Sequence, residues 1–232
     1  MTLLVAWLLF PVVLGLLSLG CGLLLEQVAG MAIPAALLLP LGFVILSLAT
    51  LFAHMSDRTA ELGAPLVVVL ALIGFGLSLP RRFGRVDGWL VATGAAVYGA
   101  FAAPALLTGR ATFLGYIKLD DTATYLAMLD RATHHGYNAA GLAPSTYETL
   151  LDAAYVNGYP LGSLLPLGTG STLVGEDVAW LWQPYITFLA VLVGLALYRL
   201  VSELIPSPLL VEVQICRLFV WAGQGSNLRP WD

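Results

Sequence analysis

Charge is scarce in this sequence. Only 10% of the 232 residues are Asp, Glu, Lys or Arg, and the net charge is -4. The ten basic residues form no basic run of the kind that neutralises a phosphate backbone, which argues against nucleic acid as a partner. Cysteine is nearly absent. Cys21 lies in an apolar stretch and Cys216 near the end of the chain, with neither the density of a disulfide framework nor the spacing of a metal site. Both read as small inert hydrophobes. Ser18-Leu19-Gly20-Cys21 has the outline of a lipoprotein cleavage site, yet no Lys or Arg precedes the apolar run. Residues 3 to 25 are also too long for a signal-peptide core, so the segment is read as an uncleaved span. No ionisable residue falls deep inside any apolar stretch, which weighs against an ion-coupled transporter.

What the sequence has in abundance is apolar surface. Hydrophobic residues make up 59% of the chain, and the mean hydropathy is +0.88, too high for a soluble domain of this length. A span needs about 20 apolar residues and must satisfy its own backbone hydrogen bonds in lipid, which makes it helical. The fold class expected is therefore an all-α, polytopic membrane helix bundle. Apolar runs with charged or Gly/Pro-rich flanks predict about five transmembrane helices, near 3 to 25, 31 to 54, 64 to 80, 88 to 108 and 177 to 201. The third is short, about 17 residues or roughly 25 Å. Along the fourth, Ala92, Ala96 and Ala100 recur every four residues, as do Ala95, Gly99 and Ala103. Such a stripe lets another helix approach closely.

Arg81, Arg82 and Arg85 sit together between the third and fourth spans, and the positive-inside rule puts them in the cytoplasm. Alternation then places the N-terminus outside the plasma (inner) membrane and the C-terminus inside. Four regions follow: a four-helix membrane region over 1–108, an extracytoplasmic loop over 109–176, a fifth span over 177–202, and a cytoplasmic tail over 203–232. The tail is read as partly disordered, and its apolar stretch 209–222 is interrupted by Glu212, Gln214 and Arg217, so no sixth span is expected. Trp180, Trp182 and Tyr185 are expected in an aromatic belt at the outer interface.

The loop is too long and apolar for a plain connector. Asp120 or Asp121 opens a predicted surface helix running to about residue 134, with Leu119, Leu126 and Leu129 on one side. Ser145 and Glu148 form a capping box for a second helix, which Asn157-Gly158 stops. From Tyr159 to Gly175 the chain reads as a flexible flap. Within it, Gly168-Thr169-Gly170-Ser171-Thr172 lacks the Lys of a phosphate-binding loop and reads as a flexible turn. His134 and His135 are neighbours on a helix and diverge, a poor pair for one metal ion. His54 faces the same compartment but stands alone in the sequence.

The stretch with chemistry is Lys118-Leu119-Asp120-Asp121-Thr122-Ala123-Thr124-Tyr125. Two adjoining carboxylates can serve as a general base and an orienting or cation-binding neighbour. They can equally cap the helix they open and complement its dipole.

An acidic pair in a large outer loop, opening a juxtamembrane helix after a span, resembles the GT-C superfamily of membrane glycosyltransferases. Gly115 to Tyr125, with Asn157-Gly158-Tyr159-Pro160-Leu161-Gly162, carries the likeness, which covers about residues 85 to 202. The resemblance implies sugar transfer from a polyprenyl-phosphate donor to a cell-envelope acceptor hydroxyl, with inversion. Asp120 would be the base, and Asp121 its orienting or metal-binding neighbour for a divalent cation such as magnesium or manganese. The donor phosphate would meet the loop's basic residues, Lys118, Arg110 and Arg131. Four spans precede the pair and one follows, which departs from the usual arrangement and implies the N-terminal part of such an enzyme, truncated. The rival reading is a non-catalytic membrane scaffold that meets membrane-protein partners through the small-residue stripe.

Overall fold

The computed structural model describes residues 3–78, 87–109, 120–204 and 214–215, without the side chains of Asp120 and Asp121. Among the described residues every regular element is a helix. A π-helical stretch, Val5–Leu9, runs directly into α1 (Phe10–Ala29). There follow α2 (Ala35–His54), the single turn α3 (Asp57–Ala60), α4 (Gly63–Ser78) and α5 (Gly88–Thr108). Then come α6 (Asp120–His135), α7 (Thr146–Val156), α8 (Leu165–Val174) and α9 (Val178–Ser202).

Four of these segments, Val5–Ala29, Ala35–His54, Gly88–Thr108 and Val178–Ser202, are long and apolar enough to cross a membrane. The fifth apolar helix, α4, has 16 residues, a rise of about 24 Å, and matches the short third span expected. The ends of the helices follow simple local chemistry. The Asp87 carboxylate accepts from the Trp89 amide at 3.0 Å to cap α5, and Asp177 accepts from Ala179 at 2.8 Å to cap α9. Helix α1 stops at Gly30, whose φ of 65° only glycine adopts without strain. The Glu26 carboxylate does not simply point to water, since it accepts from the Ile33 amide at 3.2 Å and fastens the α1–α2 turn.

Helix α1 is the axis of the bundle, packed against α2 and α4 with backbones in direct contact. A Cβ built at Gly42 would lie 1.7 Å from the Ser18 carbonyl oxygen, and one at Gly74 1.9 Å from that of Gly20. These glycines, not the stripe on the fourth span, do the close packing. Helix α5 turns Thr93, Val97, Ala102 and Ala105 inward and leaves Ala95, Gly99 and Ala100 exposed.

The two ends of the bundle are distinct. The Gln27 side-chain amide donates to Ser78 Oγ at 3.4 Å, bringing the last turns of α1 and α4 together at one end. At the other end, the Tyr137 amide donates to the His54 carbonyl at 3.0 Å. There, too, His135 Nδ1 lies 3.4 Å from an Asp57 carboxylate oxygen. The turn after α2 and the segment from α6 to α8 therefore share one end, as alternation of the spans requires.

The stretch 159–175 is not a flap. It makes a tight turn and then α8, which is inserted among α1, α2, α4, α6 and α9, with Leu165 and Leu167 fully buried. The residues read as a flexible turn, 168–172, lie on this helix. Their glycines are needed for space: a Cβ at Gly168 would be 2.4 Å from Thr133 Oγ1, and one at Gly170 2.5 Å from Phe10 Cε2. Burial on several sides outweighs a helix penalty of about 1 kcal/mol per glycine. Tyr185 also departs from expectation. It belongs to no interfacial belt but is fully buried, and its hydroxyl donates to the Ser163 carbonyl at the entrance to α8.

Candidate functional site

The loop end of the bundle is built on α6. Its buried face, Thr122, Leu126, Met128, Leu129 and Ala132, recurs at three- and four-residue intervals and seats the helix on α8 and α3. Asp120 and Asp121 occupy its first turn, where the aligned amides favour negative charge. Lys118 and Arg110 fall outside the described residues.

Helix α7 locks α6 in place. Ser145 Oγ accepts from the Glu148 amide at 3.1 Å, the cap expected from sequence. The Tyr155 hydroxyl donates to the Met128 carbonyl at 2.9 Å and its ring meets Tyr137 at 5.3 Å between centroids. Tyr125 and Tyr159 pair similarly at 5.7 Å. Burial holds the Tyr155 phenol well above the ordinary tyrosine range, with the nearby Tyr147 adding to the shift. Burial also raises Tyr137, against a lowering by its hydrogen bond to the Leu161 backbone. Helix α7 and the turn at 137–140 enclose an open groove of about 360 Å³, lined by Tyr137, Glu148, Asp152 and Tyr155 among others.

Arg131 is not placed beside the acidic pair. It sits ten residues along α6 from Asp121, about 15 Å at the helical rise. Its Nε donates to the Asn138 carbonyl at 3.0 Å and its Nη2 to the Ala140 carbonyl at 2.8 Å. That guanidinium shapes the turn after α6.

At the far end of α6 lies a partly open pocket that the sequence did not announce. A cavity of about 260 Å³ is lined by His54, Ala60, Glu61, Ala64, Thr133, His134, Thr169 and Thr172. Thirteen residues separate His134 from Asp121, roughly 20 Å along the helix, so the cavity and the acidic pair are separate places. His54 is only 2% exposed, with Nδ1 2.6 Å from the Thr50 carbonyl. The ring rests against Gly63, where a Cβ would meet Cε1 at 2.4 Å. His134 lines the cavity while His135 turns toward Asp57, the divergence expected of neighbours on a helix. Sequence reasoning passed over His54 because its partners come from α3, α6 and α8. The local hint was Thr50, one turn back, whose carbonyl fixes the ring.

Among the described residues no three His, Cys, Asp or Glu side chains gather where they could share a metal ion. The class that the fold defines is a polytopic all-α membrane helix bundle with a short helix inserted at its loop end. Comparison with protein-family models, curated proteins and solved structures finds no match to the chain.

Proposed function

We propose that the chain is a membrane glycosyltransferase of the GT-C type, or part of one, transferring a sugar from a polyprenyl-phosphate donor to a cell-envelope acceptor. The observation that carries this reading is that α6 begins at the acidic pair and is braced by α7 and α8 at one end of the bundle. Helix α4 ends at Ser78, beside Gln27 at the opposite end, and Arg81, Arg82 and Arg85 follow it in sequence, a cluster that the positive-inside rule assigns to the cytoplasm. The pair then faces outward across the plasma membrane, where a donor has to be lipid-borne.

In this reaction Asp120 takes the proton of the acceptor hydroxyl as its oxygen attacks the anomeric carbon. The bond to the phosphate oxygen breaks on the opposite face, and polyprenyl phosphate leaves with that electron pair. Asp121 orients the base or holds a magnesium or manganese ion through its carboxylate. Lys118, two residues before the pair, and Arg110, earlier in the same loop, are the cations for the phosphate. Arg131, engaged with backbone carbonyls, is left out of this set. Asp120→Asn and Asp121→Asn in the full-length gene product should each lower sugar transfer in isolated membranes by about 100-fold or more. Unchanged transfer at normal protein levels overturns the proposal.

A second reading, a non-catalytic assembly partner, is favoured by the exposed small residues Ala95, Gly99 and Ala100 on α5. In that case Gly99→Leu should release a co-purifying membrane protein, while the aspartate variants do nothing.

A further inference from the structure

The cavity at the end of α6 has a hydrogen-bonding inventory that points to an occupant. Threonines in these helices return their hydroxyls to the carbonyl four residues back: Thr50 to Leu46, Thr93 to Trp89, Thr133 to Leu129, Thr172 to Gly168 and Thr187 to Gln183. Thr169 does not. It is 2% exposed, and among the described residues its Oγ1 has no hydrogen-bond partner although it lies on the cavity wall. An orphaned buried hydroxyl costs about 1 to 3 kcal/mol, so its persistence needs a reason.

His54 supplies a second polar group to the wall. Its Nδ1 faces a carbonyl oxygen at 2.6 Å, and a carbonyl cannot donate, so Nδ1 carries the hydrogen and the neutral ring keeps its lone pair on Nε2. Thr133 and Thr172 have spent their hydrogens on backbone carbonyls and have lone pairs to offer. The wall is therefore rich in acceptors, with the Thr169 hydroxyl and, at the exposed edge, the His134 ring able to donate as well.

We propose that this cavity binds a small neutral polyol. Its hydroxyls donate to His54 Nε2 and the threonine oxygens, and one of its oxygens accepts from Thr169 Oγ1. An anion is disfavoured because the inner wall offers mainly acceptors, and at the exposed edge the His134 ring is offset by the carboxylate of Glu61. An ammonium ion would have only that solvated carboxylate as countercharge, too little to offset its desolvation inside. A neutral polyol also presents C–H faces, which suit the methyl groups of Ala60 and Ala64 on the same wall. About 260 Å³ is the space of roughly eight or nine waters at about 30 Å³ each, room for a single six-carbon ring with its hydroxyls. The site stands apart from Asp120 and Asp121 and does not depend on their catalysing anything.

The test uses the full chain in detergent micelles, with binding read by ligand-detected NMR. D-glucose and myo-inositol are the neutral probes, ethanolamine the cationic one and inorganic phosphate the anionic one. A neutral polyol should bind with a millimolar Kd, and Ala64→Leu, which fills the space, should abolish binding. Thr169→Val keeps the branched shape and removes only the hydroxyl. It should weaken polyol binding about fivefold, the worth of one neutral hydrogen bond, with a melting temperature no lower than that of the unaltered chain. Absent polyol binding means a cavity filled by water only, and equal binding in Thr169→Val and the unaltered chain means a polyol held without the Thr169 hydroxyl; either result overturns the proposal. Preference for ethanolamine or phosphate overturns it as well.

Discussion

The Tyr137 amide reaches the His54 carbonyl at 3.0 Å, and this bond joins the end of α6 to the end of the second span. It is possible because Gly136, just before it, adopts a φ of 60° and comes so near that a Cβ would lie 2.6 Å from the same carbonyl oxygen. Glycine is required there twice over, for conformation and for space.

Gly136→Ala should therefore cost more than the left-handed backbone alone, about 1 to 2 kcal/mol, by a further 1 to 3 kcal/mol of overpacking. Gly141 has a φ of 82° and nothing within 4 Å of its would-be Cβ, so Gly141→Ala should show only the backbone part. Denaturant unfolding of both variants in the same detergent measures the difference. Equal destabilisation would remove the role given to the close approach.

At the core of the bundle, Gly42→Ala would place a methyl carbon 1.7 Å from the Ser18 carbonyl oxygen. No rotamer change relieves a clash with backbone, so α1 and α2 must separate, at about 3 kcal/mol or more. Gly76, with open space around it, is the matched control. Gly76→Ala should stabilise α4 by about 0.5 to 1 kcal/mol through helix propensity. Thermal unfolding of the two proteins should shift in opposite directions.

Arg131 makes two hydrogen bonds to carbonyls of the turn that follows α6. Lysine has no planar fork with which to reach both. Arg131→Lys should speed amide hydrogen exchange across 137–141 and open that turn to limited proteolysis, at about 1 to 2 kcal/mol, while leaving the membrane helices protected. Exchange unchanged in the turn would contradict this account.

The buried phenols give the loop end a dependence on alkaline pH. Tyr155 and Tyr137 are raised, chiefly by burial, so the folded chain holds their protons more tightly than the unfolded chain does. Their contribution is complete below the unfolded tyrosine value of about 10 and is lost as pH climbs from there toward the folded values. Unfolding midpoints should be flat from neutral pH to about 9 and fall beyond 10. Tyr155→Phe, which sacrifices the bond to the Met128 carbonyl, should start less stable and fall less steeply.

The sequence was legible wherever structure depends on near neighbours or on the solvent. Apolar length alone set the four long spans and the short α4, because lipid leaves the backbone no alternative to the helix. The cap at Ser145 follows from a side chain within one turn of the amide it serves, and α6 opens at Asp120, as the sequence predicts. The small-residue stripe on α5 was a sound pattern, but Ala95, Gly99 and Ala100 on it are left exposed among the described residues, since periodicity identifies a face and not what covers it.

By itself, then, the amino-acid order determined that this is a membrane-spanning helix bundle, and put an acidic pair at the start of a loop helix. Tertiary structure alone decided that α8 is a packed helix rather than a flap, that Tyr185 is core, and that His54 and Thr169 share a cavity. The reason is distance along the chain. His54 and Thr169 are more than a hundred residues apart, and what unites them is the close approach that Gly63, Gly136, Gly168 and Gly170 permit, which no local pattern encodes.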